Sequence, residues 1–360
     1  MKARAWLGGL VVLLIALGAG AYVFRGEIAT RIFERAARQA VGENLRAELP
    51  DGLHAAFCGT GSPLPDRTRA GPCLAIIAGQ HLFVFDAGDG ASETLQLMGV
   101  QQSEIEALFL THLHSDHIDG LDTVALQHWA SGASREQLNV IGPTGTARVV
   151  GGLNEAYAID QSYRLAHHGP EVIPPSGAGM HATEFAIPLA DGEELELWNK
   201  DGVRIVTFRV THTPTDAVGY RVEYAGRSIT ISGDTSRSES LTQAAQGTDL
   251  LIHEAISPRL DAIMHEASQA AGRENVGAIF NDILDYHTSP EDAGHVAQQA
   301  HVGALALTHF LPQTPIPGLT DTFVQAAKSS YDGPVFAMRD GDVISLPRTG
   351  GMLRSNHLRF

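Results

Sequence analysis

A cluster of histidine and aspartate side chains constrains this chain more than any other feature of its sequence. Three histidines and one aspartate fall within six residues, directly after an apolar run: His112, His114, Asp116 and His117. In an extended segment, side chains two residues apart point to the same side, so the first two histidines form one pair. The aspartate and the third histidine follow a turn and form a second pair. Imidazole nitrogen and carboxylate oxygen suit zinc, manganese or iron, and two pairs suit two ions about 3.5–4 Å apart.

Three more side chains of metal-ligand type stand directly after predicted strands: His212, Asp234 and His309. Each one alone would be interpreted as a turn or capping residue. Because loops at strand ends carry functional side chains, we expect all three to lie beside the first cluster. Asp234 is the natural bridge between two cations, since a carboxylate offers two oxygen atoms.

The chain alternates between short β-rich runs and helical stretches from residue 53 onward, and 44% of its 360 residues are hydrophobic. That apolar fraction excludes wholesale disorder, and the alternation predicts sheets covered by helices, with the chemistry on the connecting loops. Cys58 and Cys73 are too few for a disulfide scaffold and fall on neighbouring predicted strands. We expect them to pack as small apolar residues, and the sequence leaves open whether they form a disulfide.

Taken in order, these residues resemble the metallo-β-lactamase superfamily, in the branch that contains ribonuclease Z and the zinc-dependent arylsulfatases. The resemblance covers residues 53–348, and four further motifs support it: Gly59-Thr60-Gly61-Ser62-Pro63, Phe85-Asp86-Ala87-Gly88, His253-Glu254-Ala255 and His287-Thr288-Ser289-Pro290. The implied fold is the αββα sandwich, an α/β (α+β) fold with two sheets face to face and helices outside. An N-terminal hydrophobic helix would precede it.

The resemblance also implies how the candidate residues hold metal. One ion would be bound by His112, His114 and His212, the other by Asp116, His117 and His309, with Asp234 bridging the two. The cofactors would be two divalent metal ions, with Zn²⁺ as the first choice and Mn²⁺ or Fe²⁺ as alternatives. Asp86 would orient a ligand histidine from behind.

The catalytic residues implied by the resemblance are Asp116, Glu254 and His287. The two cations would lower the pKa of a water so that it attacks as hydroxide, and Asp116 would accept its proton. His287, oriented by Glu254, would protonate the departing oxygen. A silent metal-binding scaffold is the alternative from another functional class, and the complete ligand set argues against it.

Hydrolysis of phosphodiester or sulfate ester bonds in small substrates is the function that we predict, phosphodiesterase- or arylsulfatase-like. Bacterial ribonuclease Z carries a long tRNA-gripping arm after the strand that matches Gly219-Tyr220-Arg221, whereas here the chain runs directly into the strand before Asp234. Residues 51–360 hold 18 basic and 37 acidic side chains, a balance of −19. That balance disfavours nucleic acid as a partner, because phosphate binding depends on clustered lysine and arginine.

Two alternatives remain for the function: ribonuclease Z-type processing of tRNA 3′ ends, and then a lactonase. For a small-molecule ester substrate, the segment 157–185 is expected to line the pocket, with Arg164 and His168 as its polar groups. A homodimer is a further expectation from the branch that the chain resembles.

The N-terminus carries twenty uncharged residues between Arg4 and Arg25. As a helix they would span roughly the 30 Å hydrocarbon core, so residues 1–25 predict a signal anchor or a signal peptide, with the membrane as a partner. Residues 26–50 would be an amphipathic connector, 51–348 the hydrolase domain and 349–360 a C-terminal tail. The expected location is membrane-anchored or periplasmic (exported). Basic residues on both sides of the segment leave its orientation open, including a body that faces the cytoplasm.

Overall fold

The computed structural model describes residues 2–188 and 190–358. Met1 of the predicted N-terminal segment, and Arg359 and Phe360 of the predicted tail, lie outside the described residues. The chain divides into compact units, one up to Asn44 and one from Leu45 onward. All the candidate site residues belong to the second unit.

The first unit contains the helices α1 (Lys2–Val23) and α2 (Arg25–Ala40). α2 is amphipathic, and its exposed face carries an ion pair one turn apart between Glu34 and Arg38. Among the residues whose side chains are described, no helix has both the length and the apolar character needed to cross a membrane. The predicted membrane-spanning anchor is therefore not found in the described residues, and the predicted membrane-anchored or exported location is not supported.

The second unit is built on β-sheets that lie face to face. Within the described residues, the first sheet has eight strands, in the spatial order β15 (Leu353–Asn356), β14 (Asp342–Pro347), β1 (Gly52–Gly59), β2 (Cys73–Ala78), β3 (His81–Phe85), β4 (Ala107–Phe109), β5 (Leu138–Pro143) and β6 (Met180–Phe185). β15 falls inside the predicted tail and pairs antiparallel with β14. The segment predicted as a tail therefore extends the first sheet.

The second sheet has seven strands over the same described ranges, in the order β13 (Val335–Ala337), β12 (Leu305–Leu311), β11 (Leu250–Ile256), β10 (Arg227–Ile231), β9 (Val218–Tyr224), β8 (Val203–Arg209) and β7 (Leu195–Lys200). The helices of this unit are α3 (Leu45–Glu48), α4 (Ala91–Leu97), α5 (Ser115–Ile118), α6 (Leu121–Gly132), α7 (Thr146–His168), α8 (Glu239–Ala244), α9 (Pro258–Ala270), α10 (Glu274–Asp282), α11 (Pro290–Gln299) and α12 (Leu319–Lys328).

Alternate residues of a strand face different layers of the molecule. In β1, Leu53, Ala55 and Phe57 belong to the core between the sheets, whereas Ala56 and Cys58 face the helices. All eight residues of this strand are buried. Strands covered on both faces are continuous apolar runs, which is why the sequence marks them clearly. The predicted αββα sandwich is confirmed.

Cys58 in β1 and Cys73 in β2 form a disulfide. Both side chains are buried, and the antiparallel pairing of the two strands places Gly59 opposite Cys73. The cysteines are buried as expected, and the disulfide that the sequence leaves open is formed in the structure. The bond closes the loop 59–72 at its base, and that loop carries the Pro63 and Leu64 side chains next to the candidate site.

Candidate metal centre

The segment that leads from β4 into α5, together with the first turn of α5, carries the first cluster of predicted ligands. His114 precedes the helix in extended conformation, and Asp116 and His117 lie in its first turn. This segment lies against the turn after β3, where the Ala87 amide donates to the His117 carbonyl oxygen over 2.9 Å. Gly88 permits the close approach, since a Cβ atom there would lie 2.3 Å from the Asp116 carbonyl oxygen. The turn after β3 thus fixes the backbone of the cluster.

His112, His114 and His212 form the first group, with one ring nitrogen of each within 4.8 Å of the others. His212 comes from the loop after β8, and its Nε2 lies 3.2 Å from His114 Nδ1. Two nitrogen ligands of a tetrahedral zinc ion, each at about 2.0–2.1 Å, lie about 3.3 Å apart. His112 is fully buried, and its Nε2 has no hydrogen-bond partner among the described residues. The group has the spacing of a zinc site.

Asp116, His117 and His309 form the second group. Asp116 Oδ2 lies 3.3 Å from His309 Nε2 and 3.5 Å from His117 Nε2. His309 stands where the pairing of β11 and β12 shifts by one residue, and its φ of 46° is in the left-handed region. That conformation is unfavourable for a residue with a side chain, and such a bulge within a strand redirects the side chain of the unpaired residue, here His309.

Asp234, after β10, lies between the two groups. Its Oδ2 is 3.3 Å from the Nε2 atoms of both His117 and His309, 3.9 Å from His112 Nε2 and 4.0 Å from His212 Nε2. One carboxylate oxygen therefore faces nitrogen atoms of both groups. This is the arrangement of a ligand that can bridge two cations.

Most of the candidate histidines use their other ring nitrogen for a hydrogen bond that fixes the ring. The pairs are His117 Nδ1 with Asp86 Oδ2 (2.9 Å), His212 Nδ1 with the Tyr286 carbonyl oxygen (2.9 Å), His112 Nδ1 with Thr111 Oγ1 (3.0 Å) and His114 Nε2 with Thr215 Oγ1 (3.1 Å). Metal-binding histidines generally have such partners. The donor set therefore fits divalent cations. Asp86 orients a candidate histidine as expected, whereas nothing in the sequence identifies the other three partners.

The carboxylates and imidazoles of the cluster shift one another's pKa values. Burial alone would raise the pKa of Asp234, but His309 and His117 hold it well below its ordinary value. Burial lowers the pKa of His117 and His309, yet Asp234 and the neighbouring carboxylates outweigh it. The pKa of His117 is accordingly well above its ordinary range, and that of His309 is raised to about 8. Divalent cations would supply the positive charge that these protons bring, and would displace the protons on binding.

Glu254 and His287 lie at the edge of the cluster, and both are nearly fully buried. His287 Nδ1 is 3.0 Å from Glu254 Oε1, which also accepts hydrogen bonds from the Thr288 and Thr235 amides over 3.1 and 3.2 Å. Because the carboxylate occupies Nδ1, the Nε2 atom is free to face the cavity that His287 lines. The structure thus brings every predicted site residue to one place, and their individual roles stay predictions.

A cavity of about 350 Å³ opens beside the cluster. The segment 157–185, predicted to line the substrate pocket, does not contribute to it: its first part lies in α7, where Arg164 pairs with Asp160 of the same helix over 2.7 Å. Among the described residues, the cavity is bounded instead by the cluster itself and by α10. The sequence does not indicate that α10 lines the cavity, because α10 is brought to the site by its packing against α9.

Known proteins are similar in sequence to this chain over most of its length. The family described as Beta-lactamase superfamily domain matches residues 81–310. The chain is 36% identical over 283 residues to ribonuclease Z of Mycolicibacterium gilvum (strain PYR-GCK), covering 78% of this chain and 91% of the relative. It is 35% identical over 286 residues to ribonuclease Z of Mycobacterium bovis (strain BCG / Pasteur 1173P2), covering 79% and 94%.

Solved structures share the fold at lower identity. Human tRNase Z, short form, aligns with a TM-score of 0.58 at 23% identity, over 82% of this chain and 99% of that one. The metallo-β-lactamase fold protein YhfI of Bacillus subtilis aligns with a TM-score of 0.56 at 19% identity, over 82% and 100%. At these identities the likeness concerns the fold.

The relatives correct what the sequence predicted about substrate and partner. Small phosphodiesters or sulfate esters as substrates, and an arylsulfatase-like activity, are contradicted because the relatives at 35–36% identity are ribonuclease Z enzymes. The prediction that nucleic acid is disfavoured is wrong for the same reason. Net charge describes the whole surface, whereas bound cations would make the site locally positive. With its candidate ligand residues assembled and the relatives matched over nine-tenths of their length, the chain is a hydrolase that belongs to the metallo-β-lactamase superfamily, in its ribonuclease Z branch.

Proposed function

We propose that the protein is a dinuclear metal-dependent endoribonuclease that cleaves a phosphodiester bond at the 3′ end of precursor tRNA. The observation that carries this proposal is the position of Asp234, whose Oδ2 lies within 4.0 Å of imidazole nitrogens from both groups. Two cations about 3.5–4 Å apart are a recurring arrangement for phosphodiester hydrolysis. The identity to ribonuclease Z relatives supports RNA as the substrate.

The metals would be held in the two groups already described. His112, His114 and His212 would bind one ion and Asp116, His117 and His309 the other, with Asp234 contacting both. A set of imidazoles and carboxylates suits zinc, with manganese or iron(II) as alternatives. When bound, the cations would neutralise phosphate oxygens and acidify the attacking water.

Proton transfer would fall to residues of the chain itself. Asp116 would accept the proton of the attacking water, because its carboxylate borders both the second group and the cavity. His287 would donate a proton to the departing oxygen from Nε2. The bond of Nδ1 to Glu254 holds the ring in the tautomer and orientation that this step needs.

RNA binding would proceed without the long arm of bacterial ribonuclease Z. β9 and β10 pair antiparallel through the turn of Ala225 and Gly226, with Tyr224 opposite Arg227. The hairpin is therefore too tight to hold an insertion, as the sequence indicates. Phosphate contacts would come from the rim of the cluster and from the cations themselves.

Cleavage of a precursor tRNA by the zinc-loaded protein and its His287→Asn variant tests the assignment of the proton donor. We expect 3′-end cleavage by the wild type and a rate about 10²–10⁴-fold lower for the variant, because a positioned general acid contributes about that much. Metal content should not change, since His287 is not among the proposed ligands.

His295→Asn is the matched control, because His295 is an exposed histidine on α11, the next helix of the chain. It should retain the wild-type rate. Equal rates for the wild type and His287→Asn would contradict the proton-donor role, and an intact precursor after incubation with the wild type would contradict the proposed function.

A further inference from the structure

His309 differs from the other candidate ligand histidines in how its ring is fixed. The other four rings use their second nitrogen for a hydrogen bond, whereas His309 Nδ1 is buried without a hydrogen-bond partner in the described part of the chain. Metal-binding histidines almost always have such a partner, because it sets the orientation of the ring. The orientation of His309 therefore depends on the backbone that carries it.

The backbone at His309 is irregular and needs support from outside its own strand. Thr308 and Phe310 pair with consecutive residues of β11, so His309 between them is left out of the pairing, and its φ of 46° is in the left-handed region. A conformation of this kind persists only where the surrounding structure holds it. The Phe310 amide donates to the Thr60 carbonyl oxygen over 3.3 Å, which ties this part of β12 to the loop 59–72.

Arg69 contacts both partners of that hydrogen bond. Its guanidinium lies over the ring of Phe310, with Cζ 4.6 Å from the centroid of the ring. Nε donates to Thr314 Oγ1 over 3.2 Å, and Nη1 donates to the Met338 carbonyl oxygen over 2.8 Å. Nη1 also donates to Thr60 Oγ1. The hydrogen bonds fix the planar guanidinium, and the guanidinium in turn holds Phe310 by stacking on its ring.

Asp340 completes the network around Arg69. This buried carboxylate accepts hydrogen bonds from the Thr60 amide over 3.0 Å, from Thr60 Oγ1 over 2.7 Å and from the Ala70 amide over 2.6 Å. The hydroxyl of Thr60 accepts from Arg69 and donates to Asp340, so it stands between the two opposite charges. A buried polar network with its members hydrogen-bonded is rigid, and the contact to Phe310 is therefore preformed.

We propose that Arg69 is a positioning residue for the metal ion that Asp116, His117 and His309 would hold. The inference rests on the proposed metal centre. Arg69 fixes Phe310, and through it the backbone of His309, and so replaces the hydrogen bond that the His309 ring lacks. Removal of the guanidinium frees His309 and weakens the binding of this ion. The ion of the other group keeps its ligands and their hydrogen-bond partners.

Titration of the metal-free protein with cobalt(II), followed by visible absorption, tests the role of Arg69. The variant Arg69→Met keeps an unbranched apolar side chain and removes the guanidinium. We expect it to bind one ion as the wild type does and the other about 10- to 100-fold more weakly, which is the usual effect of losing a residue that orients a metal ligand. The absorption of the weakened ion should also change, because it reports the ligand geometry around that ion.

Arg67→Met is the matched control, because Arg67 is an exposed arginine of the same loop. It should bind both ions as the wild type does. Thr314→Val removes only one hydrogen bond of the guanidinium and should weaken the same ion several-fold.

Unchanged binding of both ions by Arg69→Met, or by Thr314→Val if the first variant does not fold, would overturn the inference. Equal weakening of the two ions would also overturn it, because a general loss of stability has that effect.

Cleavage of precursor tRNA in a parallel assay separates this inference from the proposed function. If the wild type cleaves the precursor and Arg69→Met binds both ions normally, the function stands and the role of Arg69 is overturned. If the wild type binds two ions and leaves the precursor intact, the proposed ribonuclease is contradicted. A selective loss of one ion in Arg69→Met would then still support the role of Arg69.

Discussion

One carboxylate oxygen of Asp234 faces both groups of candidate ligands. Its Oδ2 faces His117, His309, His112 and His212 at 3.3–4.0 Å, so its removal separates the two groups of ligands. The side chain is buried, and its pKa is held well below the ordinary value by His309 and His117, in spite of burial. A charge of this kind is kept in a core only when cations or protonated groups compensate it.

Asp261 shows the opposite case, a buried carboxylate whose surroundings do not compensate it. It is 1% exposed, and its Oδ1 has no hydrogen-bond partner in the described part of the chain. Burial raises the pKa of Asp261 to about 6, and His265 opposes this only in part. The folded protein therefore holds this proton more tightly than the unfolded chain does. The contribution of the protonated Asp261 carboxyl to the free energy of unfolding is therefore fully present below pH 4, and it is lost as the pH rises through about 6.

Asp261→Asn should therefore stabilise the protein at pH 7.5 and not at pH 3.5. We expect a gain in unfolding free energy of about 1–2 kcal/mol at the higher pH, because the amide avoids the cost of a buried charge. Denaturant unfolding at both pH values measures it. A gain of the same size at pH 3.5 would mean that packing, rather than ionisation, explains the effect.

At the scale of elements, burial decides what the sequence can predict. The run 73–78 is predicted as a strand and is β2, with all six residues buried, because both faces of the sheet are covered. β7, at the edge of the second sheet, has no fully buried residue, so no apolar pattern marks it. The 23-residue helix α7 is a similar case. Among its described side chains, those that are buried are Thr146 and Val150. A helix with so little buried surface needs no apolar stripe, and the sequence shows none there.

The candidate ligands could be found from sequence because each lies close to an apolar run, although His309, predicted to follow its strand, lies within β12. His212 and Asp234 each stand three residues beyond the end of a strand, β8 and β10 respectively, where a polar side chain interrupts a strongly apolar pattern. Tyr286 and Ile279 could not be found in this way. They reach the cavity only through the packing of α9 against α10, which no local pattern records.

The disulfide between β1 and β2 should stabilise this part of the first sheet. Its cysteines are 15 residues apart, and closing a loop of that length contributes about 3 kcal/mol by restricting the unfolded chain. The double variant Cys58→Ala/Cys73→Ala should lose about 2–4 kcal/mol of unfolding free energy under non-reducing conditions, as measured with urea. Dithiothreitol should lower the stability of the wild type and leave that of the double variant unchanged. An unchanged urea midpoint in the double variant would contradict the stabilising role.

In the whole molecule, the proposed function requires an acidic protein to bind a polyanion. The chain carries 25 basic and 41 acidic side chains, a net charge of −16. Several arginines of the second sheet are already paired with acids of the same surface: Arg204 with Glu196 and Glu223, Arg221 with Glu223, and Arg227 with Asp249. These three arginines are therefore neutralised within the surface of the second sheet.

RNA binding should consequently depend weakly on salt. Each phosphate neutralised by lysine or arginine adds roughly 0.7–0.9 to the slope of log K against log salt concentration. We expect a slope of magnitude below about 3 between 50 and 200 mM potassium chloride, measured with labelled precursor tRNA. A slope beyond about 6 would indicate an extended basic surface and would contradict recognition centred on the metals.

A bridged two-metal site is tested most directly by adding zinc to the metal-free protein and measuring the rate of precursor tRNA cleavage. Activity is expected to reach its maximum at two equivalents of zinc, and Asp234→Asn is expected neither to bind two ions nor to cleave the RNA. Asp201→Asn, which changes an exposed aspartate, should behave as the wild type. Full activity without metal, or unchanged cleavage by Asp234→Asn, would contradict a bridged two-metal ribonuclease.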